Sequence, residues 1–404
     1  MSDRPDPVAG RMRSGARPAP VGSLPSLRQR NRSLVIRTVR DRHAASRAEI
    51  ARFTGLSRTT VSSLVADLLA DNVLVEVPAA GGAQGSGRPA TPLTLHPERG
   101  CVVGIHFGHD GVRVALAQLD GTVLSQRYDQ LDVDHRPADS IGYAAATALE
   151  LIRCHHPERV FGTGVAISTP VTAGSRLLSA PSMLPSWAEV DVAGRLRDFL
   201  SIPVYVGNDA NLGALAEFTH GAGRGVKDLI YVMLSDGVGA GLIVDGRLYE
   251  GSTGSAGELG HVAVTPDGYI CRCGNRGCLE TVAGARGVVE AMTHSRGQGT
   301  DLDDVLDLCE QGDPGARRVL NDAGRAVGGA LAGVCTVLDP KLVVIGGKIA
   351  AVGDTLLDGI RDVLTRTLPP VTNQNLEVVA GELGQQAELV GAVVMAIHRS
   401  GPGR

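Results

Sequence analysis

Three cysteines crowd into the eight residues Cys271-Arg272-Cys273-Gly274-Asn275-Arg276-Gly277-Cys278, and His261 stands ten residues before the first of them. Three thiolates and one imidazole around a tight, glycine-bearing knuckle form the ligand set of a closed tetrahedral zinc site. Such a site braces structure and leaves no open position for catalysis. The chain has seven cysteines, an odd number, and their clustering points to metal binding in a reducing compartment rather than to a disulfide framework. Cys101, Cys154, Cys309 and Cys335 read as buried thiols without chemistry. Two carboxylates flank the knuckle: Glu258, in Gly257-Glu258-Leu259-Gly260-His261, and Glu280, two residues beyond Cys278. Metal ligation would fix the loops that carry them, and fixed carboxylates suit bidentate hydrogen bonding to sugar hydroxyls. While one ring nitrogen of His261 holds zinc, the other can bond a hydroxyl. The single Trp187 could border such a pocket, though a lone tryptophan is more often core.

These residues need a scaffold, and 404 residues are too many for one core, so more than one domain is expected. No run of about 18 apolar residues is present to span a membrane, and the N-terminus lacks the apolar core of a secretory signal. A cytoplasmic protein is expected, with no membrane partner. The net charge of −4 conceals an asymmetry: residues 1–96 hold 14 Arg and no Lys against 7 Asp and Glu, while the remainder holds 25 basic and 36 acidic residues. A basic head on an acidic body suits a polyanion partner.

The pattern of the head specifies that partner. Residues 1–25 are rich in Pro, Gly, Ser and Arg without apolar periodicity and read as a disordered basic tail. Residues 26–96 read as a winged helix-turn-helix. Leu34, Val35 and Val39 fit one helix face; Ser46 and Glu49 form a capping box that opens a short helix through Ile50, Ala51 and Phe53. Gly55 supplies a turn and Ser57 a cap. Val61, Leu64, Val65, Leu68 and Leu69 then make one buried helical stripe, opposite Arg58, Thr59, Ser62 and Ser63. Two short helices around a glycine turn, the second with small polar groups outward, are the arrangement that enters a major groove. Strand-like Val73–Val77 and Thr91–Leu95 enclose the flexible loop Gly81–Pro89, with Arg88 as a wing tip able to reach a minor groove. DNA contacts are expected from Arg47, Ser57, Arg58, Thr59, Thr60, Ser62, Ser63 and Arg88; the alternative is a plain three-helix bundle.

The body reads as α/β. Cys101–Phe107, Val112–Leu119, Val123–Tyr128, Val160–Ile167 and Pro203–Val206 are strand-like, with helices around 138–154 and 189–200. A motif recurs: His109-Asp110-Gly111-Val112 leads through an apolar strand to Asp120-Gly121, and Ser235-Asp236-Gly237-Val238 leads through another to Asp245-Gly246. Two copies suggest a duplicated lobe with ligand in the cleft between them.

The run Gly254-x-x-Gly257-Glu258-x-Gly260-His261, followed by Cys271-x-Cys273-Gly274-x-x-Gly277-Cys278-x-Glu280, resembles the ROK family of sugar repressors and sugar kinases. Asn208-Asp209-Ala210-Asn211, Gly346-Gly347 and the Gly-Arg-Pro wing extend the match over roughly residues 27–400. The resemblance implies a two-lobed actin-like fold of the ribonuclease H-like, sugar-kinase type. The first lobe would span 97–205, completed by a C-terminal helix at 385–400, and the second 206–384 with the knuckle. It maps sugar contacts onto Asn208, Asp209, Glu258, His261 and Glu280, and a structural zinc onto His261, Cys271, Cys273 and Cys278. Kinases of the family use the aspartate matching Asp209 as general base; by its position Asp209 would also cap a helix from Ala210 to Thr219.

The nucleotide side departs from the family pattern of Asp followed by Gly-Gly-Thr. His106 stands where the first carboxylate is expected, His109 where a glycine lets backbone approach phosphate, and Asp110 where a hydroxyl would donate. Asp236 adds an anion to the second loop. Phosphoryl transfer is nearly all positioning and charge stabilisation, and one lost donor costs on the order of 10²–10³ in rate. The expectation is therefore a regulator, most often a repressor in this family. It would bind an operator as a homodimer or homotetramer and sense a sugar in a cleft that has lost its kinase chemistry. The alternative is an active sugar kinase with a DNA-binding head.

Overall fold

The computed structural model describes residues 24–42, 44–77, 91–96, 100–171, 184–296 and 300–400. The head comprises helices α1 (Leu24–Asp41), α2 (Arg47–Thr54) and α3 (Arg58–Ala70), then strands β1 (Leu74–Glu76) and β2 (Leu93–Leu95), which pair antiparallel. Ser46 and Glu49 form the capping box, Gly55 closes α2 at φ +70°, and the Ser57 hydroxyl accepts from the Thr60 N–H to cap α3. Val61, Leu64, Val65 and Leu68 are buried as their spacing requires, whereas Leu69 is half-buried. In α1 the buried face is Val35, Ile36 and Val39, with Leu34 only half-buried, so the core stripe sits one residue further round. Phe53 is exposed, its ring 3.3 Å from the Arg42 guanidinium carbon. Because α1 begins at Leu24, the tail assigned to 1–25 overlaps the helix; residues 1–23, and the wing loop 78–90 with Arg88, lie outside the described residues.

The body holds two five-stranded mixed sheets of one topology. The first contains β3 (Cys101–Phe107), β4 (Gly111–Gln118), β5 (Val123–Gln130), β6 (Val160–Ile167) and β7 (Val204–Asn208) in the order β5-β4-β3-β6-β7, with helices α4 (Pro137–His155) and α5 (Val192–Leu200). Helix α6 (Asp209–His220) follows. The second contains β8 (Leu229–Leu234), β9 (Val238–Val244), β10 (Arg247–Leu248), β11 (Leu342–Gly346) and β12 (Glu377–Ala380) in the order β10-β9-β8-β11-β12. Its helices are α7 (Glu280–Ala283), α8 (Ala285–Arg296), α9 (Leu302–Glu310), α10 (Pro314–Leu338), α11 (Asp354–Thr367) and α12 (Pro370–Asn375), and α13 (Ala387–Ser400) closes the described chain. In each sheet the first three strands are antiparallel and the last two join in parallel. The recurring sequence motif occupies equivalent hairpins, 108–110 between β3 and β4 and 235–237 between β8 and β9.

Side-chain alternation along the central strands explains why both sheets are covered on both faces. Val103, Ile105 and Phe107 join the core under α4 and α5, while Val102 and Gly104 face α13. Ile230, Val232 and Leu234 join the core that includes α10 and α11, while Tyr231 and Met233 face α6. The helices exchange partners: α13 packs on β3 and β6 of the first sheet, α6 packs on β8 and β9 of the second, and the two pack against each other. The approach is close because glycines line it. A Cβ on Gly391 would lie 2.8 Å from the Leu212 Cβ, and one on Gly164 would lie 2.8 Å from the Ala392 carbonyl carbon. A boundary at 205/206 falls inside β7; the first sheet runs to Asn208, because β7 must extend to pair with Ile167 of β6. Val393, Ala396 and Ile397 of α13, with Val102, Ala117 and Leu119, share one core with the three helices of the head. Trp187 is fully buried, its ring tilted at 54° against that of Phe107 with centroids 5.2 Å apart, and it donates to the Val133 carbonyl at 2.7 Å. Cys101, Cys309 and Cys335 are buried, but Cys154 is exposed near the end of α4.

Candidate sugar-binding cleft and metal centre

The strand ends of both sheets open onto one cleft. Asn208, the last residue of β7, caps α6 by accepting from the Asn211 N–H at 3.0 Å, so the N-cap is Asn208 and not Asp209. Asp209 is instead the first helical residue, and its buried carboxylate accepts from Ser168 Oγ at 2.6 Å and from the Ala210 N–H at 2.7 Å. Burial raises its pKa against the pull of those hydrogen bonds. Across the cleft Glu258 is pushed up to about 7 by burial, with Asp209 and Glu280 adding like-charge repulsion. Glu280, at the start of α7, receives the Arg272 guanidinium at 3.3 Å and the Val238 N–H at 3.4 Å. Asn208, Asp209, Glu258 and Glu280 all line this pocket. His261 stands one step behind, its Nε2 3.7 Å from Glu258, so it reaches the pocket through that carboxylate. Hydroxyls both donate and accept, so carboxylates facing an arginine suit a neutral polyol.

The knuckle brings His261, Cys271, Cys273 and Cys278 together with their ligand atoms within 4.8 Å of one another. A tetrahedral ion bonded at about 2.3 Å to sulfur and about 2.0 Å to nitrogen separates sulfurs by about 3.8 Å and sulfur from nitrogen by about 3.5 Å. Cys273 Sγ and Cys278 Sγ are 3.7 Å apart, and Cys271 Sγ is 3.5 Å from His261 Nδ1. The donor set and its spacing fit zinc. With no cation among them the thiolate forms are penalised: burial and neighbouring sulfurs push Cys278 up to about 12, and a bound cation would offset that cost.

A second pocket continues the first on the nucleotide side, with His106, Asp110, Arg113, Asp236, Lys348 and Glu388 in its wall. Burial drives His106 down to about 3, so the ring is neutral, and its Nδ1 has no hydrogen-bond partner among the described residues. Asp110 accepts from the Tyr128 hydroxyl at 3.1 Å. Glu388 is buried at the start of α13, accepts from Tyr231 OH at 2.9 Å and is pushed up to about 7 by burial.

On the head, Arg58, Thr59, Ser62 and Ser63 are exposed together on α3, and Arg58 has no ion-pair partner among the described residues. Ser57 and Thr60 hydroxyls are engaged with each other at the cap, and Arg47 pairs with Glu76 at 2.8 Å. Sequence reasoning missed Ser168 and Arg272 as lining residues. Arg272 carried a signal, since its neighbours on both sides belong to the candidate metal cluster; Ser168 carried none without the sheet order.

A match to the ROK family covers residues 102–399. The chain belongs to the ROK family. Among curated proteins, this ROK chain is 27% identical to the xylose repressor of Caldicellulosiruptor bescii, over 93% of this chain and 98% of that protein. Among solved structures, a ROK family transcriptional regulator described as a homologue of the E. coli Mlc protein superposes with a TM-score of 0.72 at 24% identity, covering 93% of this chain and 98% of that one. A ROK family glucokinase from Streptomyces griseus, solved with glucose and AMPPNP, gives a TM-score of 0.65 at 28% identity over 73% of this chain and 99% of its own. Both establish the two-lobed actin-like fold. Among the described residues no helix is long and apolar enough to cross a membrane.

Proposed function

We propose that this ROK protein is a cytoplasmic DNA-binding transcriptional repressor of carbohydrate-metabolism genes, released or engaged by a sugar in the carboxylate-lined cleft. The observation that carries the reading is the contrast between the two halves of that cleft. The sugar side presents Asp209, Glu258 and Glu280 together. The nucleotide side is lined by a neutral buried His106 and the carboxylates of Asp110 and Asp236, which would repel phosphate rather than bind it. Similarity to a repressor runs over nearly the whole chain, head included, whereas the glucokinase match covers only 73% of it.

Asp209, at the junction of the lobes and held by Ser168 of the first, would bond hydroxyls of one ring together with Glu258 and Glu280 of the second, so the sugar favours the lobe arrangement that brings both sets to it. A ligand shifts such an equilibrium only by its differential affinity for the two states. Zinc would be held by His261, Cys271, Cys273 and Cys278, and its contribution is to fix the knuckle. His261 then orients Glu258, and the knuckle backbone holds Arg272 against Glu280. Movement of α13 would reach the head through their shared core. In a dimer this changes the spacing of two α3 helices, which must match half-sites about 34–36 Å apart. Arg58 and the Thr59, Ser62 and Ser63 hydroxyls would face DNA, with Arg88 on the wing.

Electrophoretic shift of the protein's own promoter against a sugar panel tests this reading. One sugar should change operator affinity, and Asp209→Ala should abolish the response while leaving sugar-free DNA binding intact; an unaltered response in that variant would refute the pocket assignment. ADP release above about 1 per second with any hexose would establish a kinase instead.

A further inference from the structure

His109 belongs to neither the carboxylate set nor the knuckle, yet it lines both halves of the cleft. It projects from the β3–β4 hairpin of the first lobe. Its Nδ1 is fixed by Asp134 Oδ1 at 2.7 Å, and only 16% of the side chain is exposed. With Nδ1 tied down, Nε2 is directed across the cleft: a Cβ on Gly237 would lie 3.9 Å from His109 Nε2 and 3.1 Å from Glu280 Oε2. A first-lobe imidazole and a second-lobe carboxylate thus face the same space above one glycine, beside Asp209.

Resting on the sugar-binding reading above, we infer that His109 partitions the cleft: it bonds the sugar hydroxyl that faces the nucleotide side and excludes sugars phosphorylated at that hydroxyl. A hydroxyl has one hydrogen and two lone pairs. Asp209 accepts the hydrogen; a phosphoryl acceptor would direct a lone pair towards the nucleotide pocket. An imidazolium Nε2–H donates to that lone pair and occupies it. Burial alone would lower the His109 pKa, but the Asp134 hydrogen bond and charge outweigh it, and the net shift is upward, towards the donating form. A neutral ring, keeping its proton on Nδ1 towards Asp134, has no hydrogen for that lone pair and competes with Asp209 for the single hydroxyl hydrogen, so the contact belongs to the protonated ring, while the ring's bulk stays in place in either state. The ring also fills the passage that a glycine would leave open. The ligand class is then a free, uncharged sugar.

The test is calorimetry on the full-length, zinc-loaded chain with D-glucose, D-mannose and N-acetyl-D-glucosamine, each beside its 6-phosphate. The wild type should bind a free sugar at least about tenfold more tightly than its phosphate. His109→Ala should weaken the free sugar by about tenfold, the scale of a hydrogen bond to a charged group, and narrow or invert that preference. His109→Gln keeps the bulk and should retain exclusion with a smaller loss, and it carries the test if the alanine variant does not fold. A phosphosugar bound as tightly as the free sugar by wild type, or a ratio unmoved in His109→Ala, overturns the partition. If no free sugar binds wild type, the sugar-effector reading falls with it. If sugar binds and Asp209→Ala abolishes binding while His109→Ala changes nothing, only the partition falls.

Discussion

Replacing Gly391 by alanine should destabilise the protein through the crossing of α13 and α6. The added Cβ would sit 2.8 Å from the Leu212 Cβ and closer still to the Leu212 carbonyl, where carbon atoms settle at about 3.5–4.0 Å. The helices must part by about 1 Å. Helix α13 has no room to retreat, since Gly164 of β6 already meets the Ala392 carbonyl and Gly104 of β3 meets Val393. Overpacking of this kind costs about 1–3 kcal/mol, and alanine recovers up to about 1 kcal/mol of helix propensity, so the net loss is about 1–2 kcal/mol. The control is Gly329→Ala in α10, where a Cβ meets no atom within 4 Å among the described residues. There the unfolded-state effect should dominate and stabilise by about 0.4–1 kcal/mol. Thermal unfolding at fixed zinc and protein concentration should move Tm down for the first and up for the second, by a few degrees each. A Gly391→Ala protein as stable as wild type, or two shifts of one sign, would refute the argument that backbone proximity sets the crossing.

Three further outcomes are expected. Metal analysis should find one zinc per chain, and Cys273→Ser or chelation should lower Tm and remove the sugar response; retention of both without metal would exclude the bracing role. Burial pushes Glu388 up to about 7 in the folded protein, against 4.5 for a free glutamate, so the folded state holds its proton longer and stability falls as pH rises from about 4.5 to about 7. The fall is worth roughly 3 kcal/mol, and denaturant unfolding of Glu388→Gln should show a correspondingly flatter profile over that window. Arg58→Ala should weaken operator binding by about 1–3 kcal/mol at fixed salt if its guanidinium reads a base, measured by fluorescence anisotropy on specific and scrambled duplexes.

Local chemistry was the legible part. The knuckle ligands lie within eighteen residues, so spacing alone brought them together, and the buried stripe of α3 was written in a single helical period. Strands β3 and β6 showed their full length because each is buried on both faces over most of its length and reads as a largely apolar run, interrupted by His106 in β3 and by Thr163 in β6. Contacts that depend on distant segments were not legible. Nothing near Ser168 signals Asp209, which is 41 residues away. Asn208 and Asp209 are both good caps by type, and only the path of β7 into α6 decides that asparagine takes the role. Cys154 carries no local sign of its exposure at the end of α4.

Helix α13 has a dual membership whose consequence is temporal. It completes the inner cover of the first sheet and donates Val393, Ala396 and Ile397 to the core that α1, α2 and α3 of the head share. During synthesis the head emerges first, yet part of its apolar floor is specified some three hundred residues later. A chain that stopped before that segment would lack those three side chains in the core of its head, and the head should be less stable for it.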